Sequence, residues 1–546
     1  MTAITAEVAI LLDLGSAWTK ASLVGRSRGR WRIVGHAAQP RSWPLGELLR
    51  SLAASVAPSA DRRVSDELLH LVASAPRIEC HTMRRPGRLA LVAVSRELSA
   101  AAARRAAESA GWLVVEAATV DDGRSTAERL AALQAVDVDA WLLAGGFDDT
   151  PAELALEVAA LAAAARRAWG GPVIWAGSRR LADQVAAFFE EGAVTTVANP
   201  RPAEDHEQAE PLRIHLEQLV RSTVEPESAT HLAPISFRRA IGELSRASHL
   251  RVMGVDLGAR YATWVMADGT VDSRVYASGG LGSPSLTAPG GPARVARIMS
   301  QPIDELAVAD ALQNLRARPA TLPHSEDELA VAQAAARQQL SALASEEAAG
   351  GGIDLLVGAG RVVAGAPQPA QAAQMLLDGV RPLGVTQLAI DVAGALGPLG
   401  ALDDDEIEEG VGSLRDDLLA PLGTAVVCRG GRPGGVAMRV TLQRVGWPAI
   451  GPIEVRTGQL HILPLGRGQV AELDIALEDG ASLGAPRRAR RARVEVSGGS
   501  VGVLLDARGV PIALPKRADD RRAVLAGWRD VLAREAAIPT SPGGMA

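Results

Sequence analysis

Asp13-Leu14-Gly15-Ser16-Ala17-Trp18-Thr19-Lys20 gathers a carboxylate, two hydroxyls and an ammonium around one glycine within eight residues. Such a set suits a phosphate. A tight turn between strands aims successive backbone N–H groups at one point. Gly15 lets an anion come close, Ser16 and Thr19 add hydroxyls, and Lys20 adds a compact positive charge. Asp13, at the strand end, is placed to hold Mg²⁺ through water, because that ion takes few carboxylates and keeps several waters beside phosphate oxygens. An ordinary hairpin with a solvated lysine is the plain alternative. Composition argues against it: of 57 Lys plus Arg, only Lys20 and Lys516 are lysine. A lysine where nearly every other cation is arginine points to a turn too crowded for a guanidinium fork. Neither lysine follows a glycine, so the Gly-Lys-[Ser/Thr] of a Walker A loop is absent.

The arrangement returns 243 residues later as Asp256-Leu257-Gly258-Ala259-Arg260-Tyr261-Ala262-Thr263. A repeated site facing the first would clamp phosphates and metal from both sides, with Gly258 and Arg260 toward phosphate and Asp256 toward Mg²⁺. A third candidate is Gly358-Ala359-Gly360-Arg361. It fails the GxGxxG fingerprint because position 363 is Val. It reads either as a glycine-rich loop with a nucleoside packed on the backbone of Gly358 and Gly360, or as a plain strand-to-helix turn. Asp148 and Asp149 follow Gly145-Gly146 and could position metal or water; capping a helix before Pro151 explains at least one equally well.

These residues need strands and turns to carry them. The apolar run VAILLDL (8–14), the strand Ala21–Val24 and the strand Trp31–Gly35 predict an antiparallel meander. Strand and helix then alternate: strands at Leu89–Val94, Trp112–Val115, Ala140–Leu143 and Val173–Trp175, helices at Leu98–Ala110, Ser125–Ala135, Pro151–Trp169 and Ser178–Phe189. That alternation predicts an α/β layer structure. The opening pattern recurs at Leu250–Leu257 and Tyr261–Ala267. Helices fill 302–348, and strands at Ile353–Val357 and Leu388–Val392 flank the helix Gln368–Asp378. Past about residue 420, alternating runs with many glycines predict a small all-β domain. A last helix, Arg521–Glu535, precedes a Pro/Gly-rich tail expected to be disordered.

Composition bounds the function. The 546 residues suffice for several domains, with 47% apolar and 22% charged residues. A net charge of −6 gives no support for DNA binding. Two cysteines and nine scattered histidines, with no HxxH or HExxH pair, give no metal framework. Asp13 interrupts the only early apolar stretch, and no run of 18 uncharged apolar residues occurs. No signal peptide and no membrane insertion are therefore expected, and the protein is expected in the cytoplasm.

The order of two Asp-Leu-Gly turns and then a strand ending in Gly-Ala-Gly resembles that of the actin/Hsp70/sugar-kinase ATPase superfamily. More closely, the chain resembles the glutamate mutase L family, the MutL-type accessory proteins of glutamate mutase, which are distinct from mismatch-repair MutL. That family opens on DxGSTxTK, matched by Asp13, Gly15, Ser16, Thr19 and Lys20. Its LLAGGTDGG is similar to Leu142-Leu143-Ala144-Gly145-Gly146-Phe147-Asp148-Asp149, its YAGN to Trp175-Ala176-Gly177-Ser178, and its LxxDxxxxxxxLG to Leu388 through Asp391 to Leu399-Gly400. Its second loop, DxGGATTDV, is only partly matched at Asp256 and Gly258, and Arg361 stands after Gly360 where the family loop has a further glycine.

The resemblance covers roughly residues 7–420. It implies two actin-like (RNase H-like) α/β domains facing a nucleotide cleft, residues 1–235 and 236–420. A β domain at 421–520 and a terminal helix and tail at 521–546 would follow. It further implies ATP and Mg²⁺ as ligands, Asp148 as a candidate for placing the attacking water, and a cobalamin-dependent mutase subunit as partner. A non-hydrolysing actin-like scaffold and a small-molecule kinase of the same superfamily are the alternatives.

Overall fold

The computed structural model describes residues 7–58, 62–148, 153–224, 231–347, 352–478, 480–484 and 490–533. The expected tail and Asp149 lie outside them. By its contacts the chain divides into two compact units: residues 1–80 with 236–271 and 278–546, and residues 81–235 with 272–277. A break falls at 235/236, but residues 1–80 group with the later part of the chain and no break falls near 420.

The reason lies in the first strand. Val8–Leu14 pairs antiparallel with Trp18–Ser27, which pairs with Arg30–Pro40, so the expected meander is present. Successive side chains of a strand point to opposite faces, and this strand is apolar on both. Ile10 and Leu12 pack with Leu48, Leu49 and Leu52 of the helix Leu45–Val56. Ala9 and Leu11 share a core with Phe237, Ala240 and Ile241 of the helix Ala233–Ser248, and with Leu396, Leu399 and Leu402. That second face ties the N-terminal meander to residues more than 220 positions later in the chain.

The larger unit also holds a mixed sheet. Ala262–Ala267 pairs antiparallel with Val252–Leu257; Leu355–Ala359 and Gly384–Ile390 follow in parallel; Ala420–Val427 is antiparallel to the latter. Gly502–Asp506 then lies parallel to Ala420–Val427, and Leu460–Leu463 antiparallel to Gly502–Asp506. Two strands expected in a separate β domain therefore extend this sheet. Their junction depends on glycine: a Cβ on Gly423, at φ +134°, would sit 1.9 Å from the Gly502 carbonyl oxygen. Four late strands form an antiparallel sheet in the order Ile450–Arg456, Val436–Gln443, Val470–Leu477, Arg491–Ser497, and Arg429–Gly430 pairs antiparallel with Ala481–Ser482. The last helix runs over Ala518–Ala533, where the Trp528 ring lies 4.9 Å from the Arg508 guanidinium.

The smaller unit is an all-parallel sheet in the order Trp112–Thr119, Gly87–Ala93, Ala140–Ala144, Val173–Trp175, Val194–Thr196. The strand and helix alternation predicts it. Two details differ. The expected helix at 178–189 is a 3₁₀ turn, Arg179–Leu181, followed by the short helix Ala182–Ala186. The helix expected from Leu98 opens two residues earlier, as a π-turn at Arg96–Ala100. No described helix is long and apolar enough to cross a membrane.

Candidate functional site

The two Asp-Leu-Gly stretches form hairpins of the same register. In the first, Asp13 faces Lys20 and Leu14 faces Thr19, with Gly15 to Trp18 in the turn. In the second, Asp256 faces Thr263 and Leu257 faces Ala262, with Gly258 to Tyr261 in the turn. Glycine is needed at the first corner because a Cβ on Gly15 would lie 2.5 Å from the Trp18 carbonyl oxygen. Thr19 is 3% exposed, which keeps its hydroxyl inside the hairpin rather than in the turn.

The Lys20 ammonium donates to Asp13 Oδ2 at 2.9 Å, both side chains being largely buried. Burial alone would lower the Lys20 pKa, but the carboxylates of Asp13, Asp256 and Asp391 outweigh it and hold the ammonium above the ordinary lysine value. Lys20 thus stands amid three carboxylates brought from three strand ends. Burial pushes the Asp256 carboxyl up to about 6; Lys20 opposes the rise, while Asp13 and Asp391 add to it. Burial also raises Asp391, against the N–H groups of Ala395 and Leu396, which donate to its two oxygens at 3.0 and 3.1 Å. The buried Cys80 thiol faces Asp13 Oδ1 at 3.9 Å, and burial holds its pKa well above the usual thiol value. The lysine stem lies against Gly394: at φ +65°, a Cβ there would be 2.6 Å from Lys20 Cδ.

Three carboxyl groups thus share one ammonium in a buried setting. That donor chemistry fits a divalent cation accompanied by its own waters and phosphate oxygens. Among the described residues, no group of three or more His, Cys, Asp or Glu is arranged to hold a metal directly.

The second turn is organised differently. The Gly258 N–H donates to the Tyr261 carbonyl at 2.9 Å. The carbonyls of Gly258, Ala259 and Arg260 accept from Leu281, Gly282 and Gly280 at 3.1, 2.7 and 3.3 Å. Arg260 is exposed on this turn. Beside it, Gly360 has φ +89°, and a Cβ there would meet the Leu257 carbonyl oxygen at 2.1 Å. This glycine lets the loop after Leu355–Ala359 fold onto the second hairpin. Gly358 is within the strand, and a Cβ there would meet the Val363 and Leu376 side chains at 2.9 and 3.0 Å.

Asp148 belongs to the smaller unit. Its Oδ1 accepts from Asn199 Nδ2 at 3.2 Å and from the Arg179 N–H at 3.4 Å, and its own N–H donates to the Pro202 carbonyl. It braces three loops at the ends of the parallel strands.

Sequence reasoning singles out Asp13, Lys20 and Asp256, which the structure brings together. It does not place Asp391 in the cluster. The only signal is its position at a strand end inside the LxxD stretch. Nor does it anticipate the contact of Trp18 with Arg361, whose guanidinium lies 4.9 Å from the Trp18 ring centroid.

The family model described as MutL protein matches residues 9–233. No curated protein matches the chain. Among solved structures, the chain is similar to acetone carboxylase in a nucleotide-free structure, at 10% identity over 83% of this chain and 81% of that one, with TM-score 0.28. It is similar to component A of the (R)-2-hydroxyglutaryl-CoA dehydratase of Acidaminococcus fermentans, at 8% identity over 72% and 96%, with TM-score 0.26. A third likeness is to a PilM–PilN type IV pilus biogenesis complex, at 13% identity over 75% and 95%, with TM-score 0.24.

Proposed function

We propose, on the premise that the chain belongs to the MutL family over residues 9–233, that it binds ATP with Mg²⁺ at the Asp13–Lys20 turn. It would serve in the cytoplasm as an accessory protein of a cobalamin-dependent mutase. The observation that carries the site is the Lys20 ammonium held at 2.9 Å by Asp13 among the charges of Asp256 and Asp391. Bound Mg²⁺ would draw charge off the phosphate oxygens. Asp13 and Asp256 would hold its waters, and Asp391 would add negative charge behind them. Lys20 would shift from Asp13 toward phosphate, with the Gly15 and Ser16 turn beneath it. Gly258 and Arg260 line the second turn; Gly360 opens the nucleoside loop, and Gly358 stands in the strand that leads into it.

A second reading, binding without turnover as an actin-like scaffold, is favoured by the second turn. Its Gly258 N–H is already bonded to Tyr261, and Thr263 stands where the first hairpin has Lys20.

Calorimetry on the full chain tests the site. Mg·ATP binds the wild type, and Lys20→Ala weakens it by ten-fold or more, on the order of 1.4 kcal/mol or greater. Equal affinity for both proteins overturns the assignment. ATP turnover, measured beside binding, separates hydrolase from scaffold. Affinity purification from the native cell tests the partner: a cobalamin-dependent mutase subunit is expected, and membrane or division proteins in its place refute the accessory role.

A further inference from the structure

The first turn and the glycine-rich loop meet through one pair of side chains. The Arg361 guanidinium lies over the Trp18 ring at 4.9 Å from its centroid, within cation–π range. Its Nη1 packs against Gly365, 2.1 Å from where a Cβ on that residue would lie. Its Nε is buried with no hydrogen-bond partner. A half-buried guanidinium with an orphaned N–H has given up water for an aromatic face, and burial accordingly lowers its pKa.

Trp18 sits in the turn that carries Gly15 and Ser16, and Arg361 opens the short helix Arg361–Ala364 directly after Gly360. The stack therefore spans from the phosphate turn to the nucleoside loop. Indole is a sequence-tolerant platform for any nucleobase, because every base has a π-face.

We propose that Arg361 and Trp18 form a latch in which the guanidinium competes with the base of a bound nucleoside triphosphate for the Trp18 face. The inference rests on the reading that this site takes a nucleotide. Its consequence is selective. A ligand with an aromatic base must displace Arg361, whereas a triphosphate without a base leaves the stack in place. The latch thus sets the nucleotide affinity of the site through the Trp18 ring, apart from the Lys20 ammonium.

Calorimetry with the full chain and two probes, Mg·ATP and Mg·tripolyphosphate, tests it. Arg361→Ala is expected to tighten Mg·ATP by about 3- to 30-fold, the range of a cation–π contact, and to leave Mg·tripolyphosphate within about two-fold. Arg361→Gln, which keeps the length and removes the charge, should tighten Mg·ATP in the same direction. Trp18→Leu should weaken Mg·ATP by a larger factor than it weakens tripolyphosphate. The latch is overturned if Arg361→Ala weakens Mg·ATP, leaves it unchanged, or changes both ligands equally. Lys20→Ala separates the two claims. If it binds both probes as tightly as wild type, the nucleotide reading itself has failed. If it weakens both while Arg361→Ala does not tighten Mg·ATP, only the latch has failed.

Discussion

Lys20 and Thr263 hold the same place in two hairpins of identical register, one opposite Asp13 and the other opposite Asp256. The first place is filled by an ammonium, the second by a hydroxyl-bearing residue that is 2% exposed. All the positive charge of the two hairpin ends facing Asp13, Asp256 and Asp391 therefore comes from one side. Arg260, the cation of the second turn, occupies the register place of Ala17 rather than of Lys20.

Replacing Lys20 by Met removes that single counter-charge. The stability cost at pH 7 is expected on the order of 3 kcal/mol, because a largely buried carboxylate loses its partner. Adding Asp13→Asn should recover part of the loss, since one uncompensated charge then disappears. Urea unfolding of the single and double variants measures both. An additive double variant would show that the pair is not coupled.

Gly360→Ala and Gly269→Ala make a controlled pair. Both glycines have positive φ, +89° and +94°, so both substitutions carry the left-handed backbone penalty of about 1–2 kcal/mol. A Cβ on Gly269 would have nothing within 4 Å, whereas one on Gly360 would meet the Leu257 carbonyl oxygen at 2.1 Å. Gly360→Ala is expected to be the more destabilising by about 2 kcal/mol or more, since backbone must move. Equal losses in urea unfolding would mean that the loop does not rest on the second hairpin.

Asp122 carries a pH dependence. Its carboxylate accepts from the N–H groups of Thr119 and Arg124 and from the guanidinium groups of Arg124 and Arg129. Burial alone would raise its pKa, but these bonds outweigh it and hold the carboxyl well below the usual aspartate value. A depressed folded-state pKa stabilises above the unfolded value, and the gain is lost as pH falls toward the folded value. Asp122→Asn should therefore cost about 1.5–3 kcal/mol at pH 7. The gap between the melting temperatures of variant and wild type should close progressively below about pH 4. A gap independent of pH would place the cost in packing rather than charge.

Much of the architecture is legible in local pattern. The two apolar runs ending in Asp-Leu-Gly specify strands and turns through neighbours only a few residues away. The alternation of apolar strands with Ala- and Leu-rich helices specifies a parallel sheet because each crossover needs a helix. Lys20, one of two lysines among 57 Lys plus Arg, marks its turn, since residue choice at a crowded site reads directly from composition.

Tertiary structure decided what lies far apart in the chain. The strand Val8–Leu14 is apolar on both faces, and the sequence alone leaves open what covers each. The core shared by Ala9 and Leu11 with Phe237 and Leu396 places residues 7–80 with the second half of the chain. The strands Leu460–Leu463 and Gly502–Asp506 read as parts of a small β domain, yet their hydrogen bonds join them to the large sheet. Asp391 reaches Lys20, and Arg361 reaches Trp18, across hundreds of residues. Such meetings depend on burial and close approach between distant segments, which a single sequence, read through its local periodicities, does not encode in any one stretch.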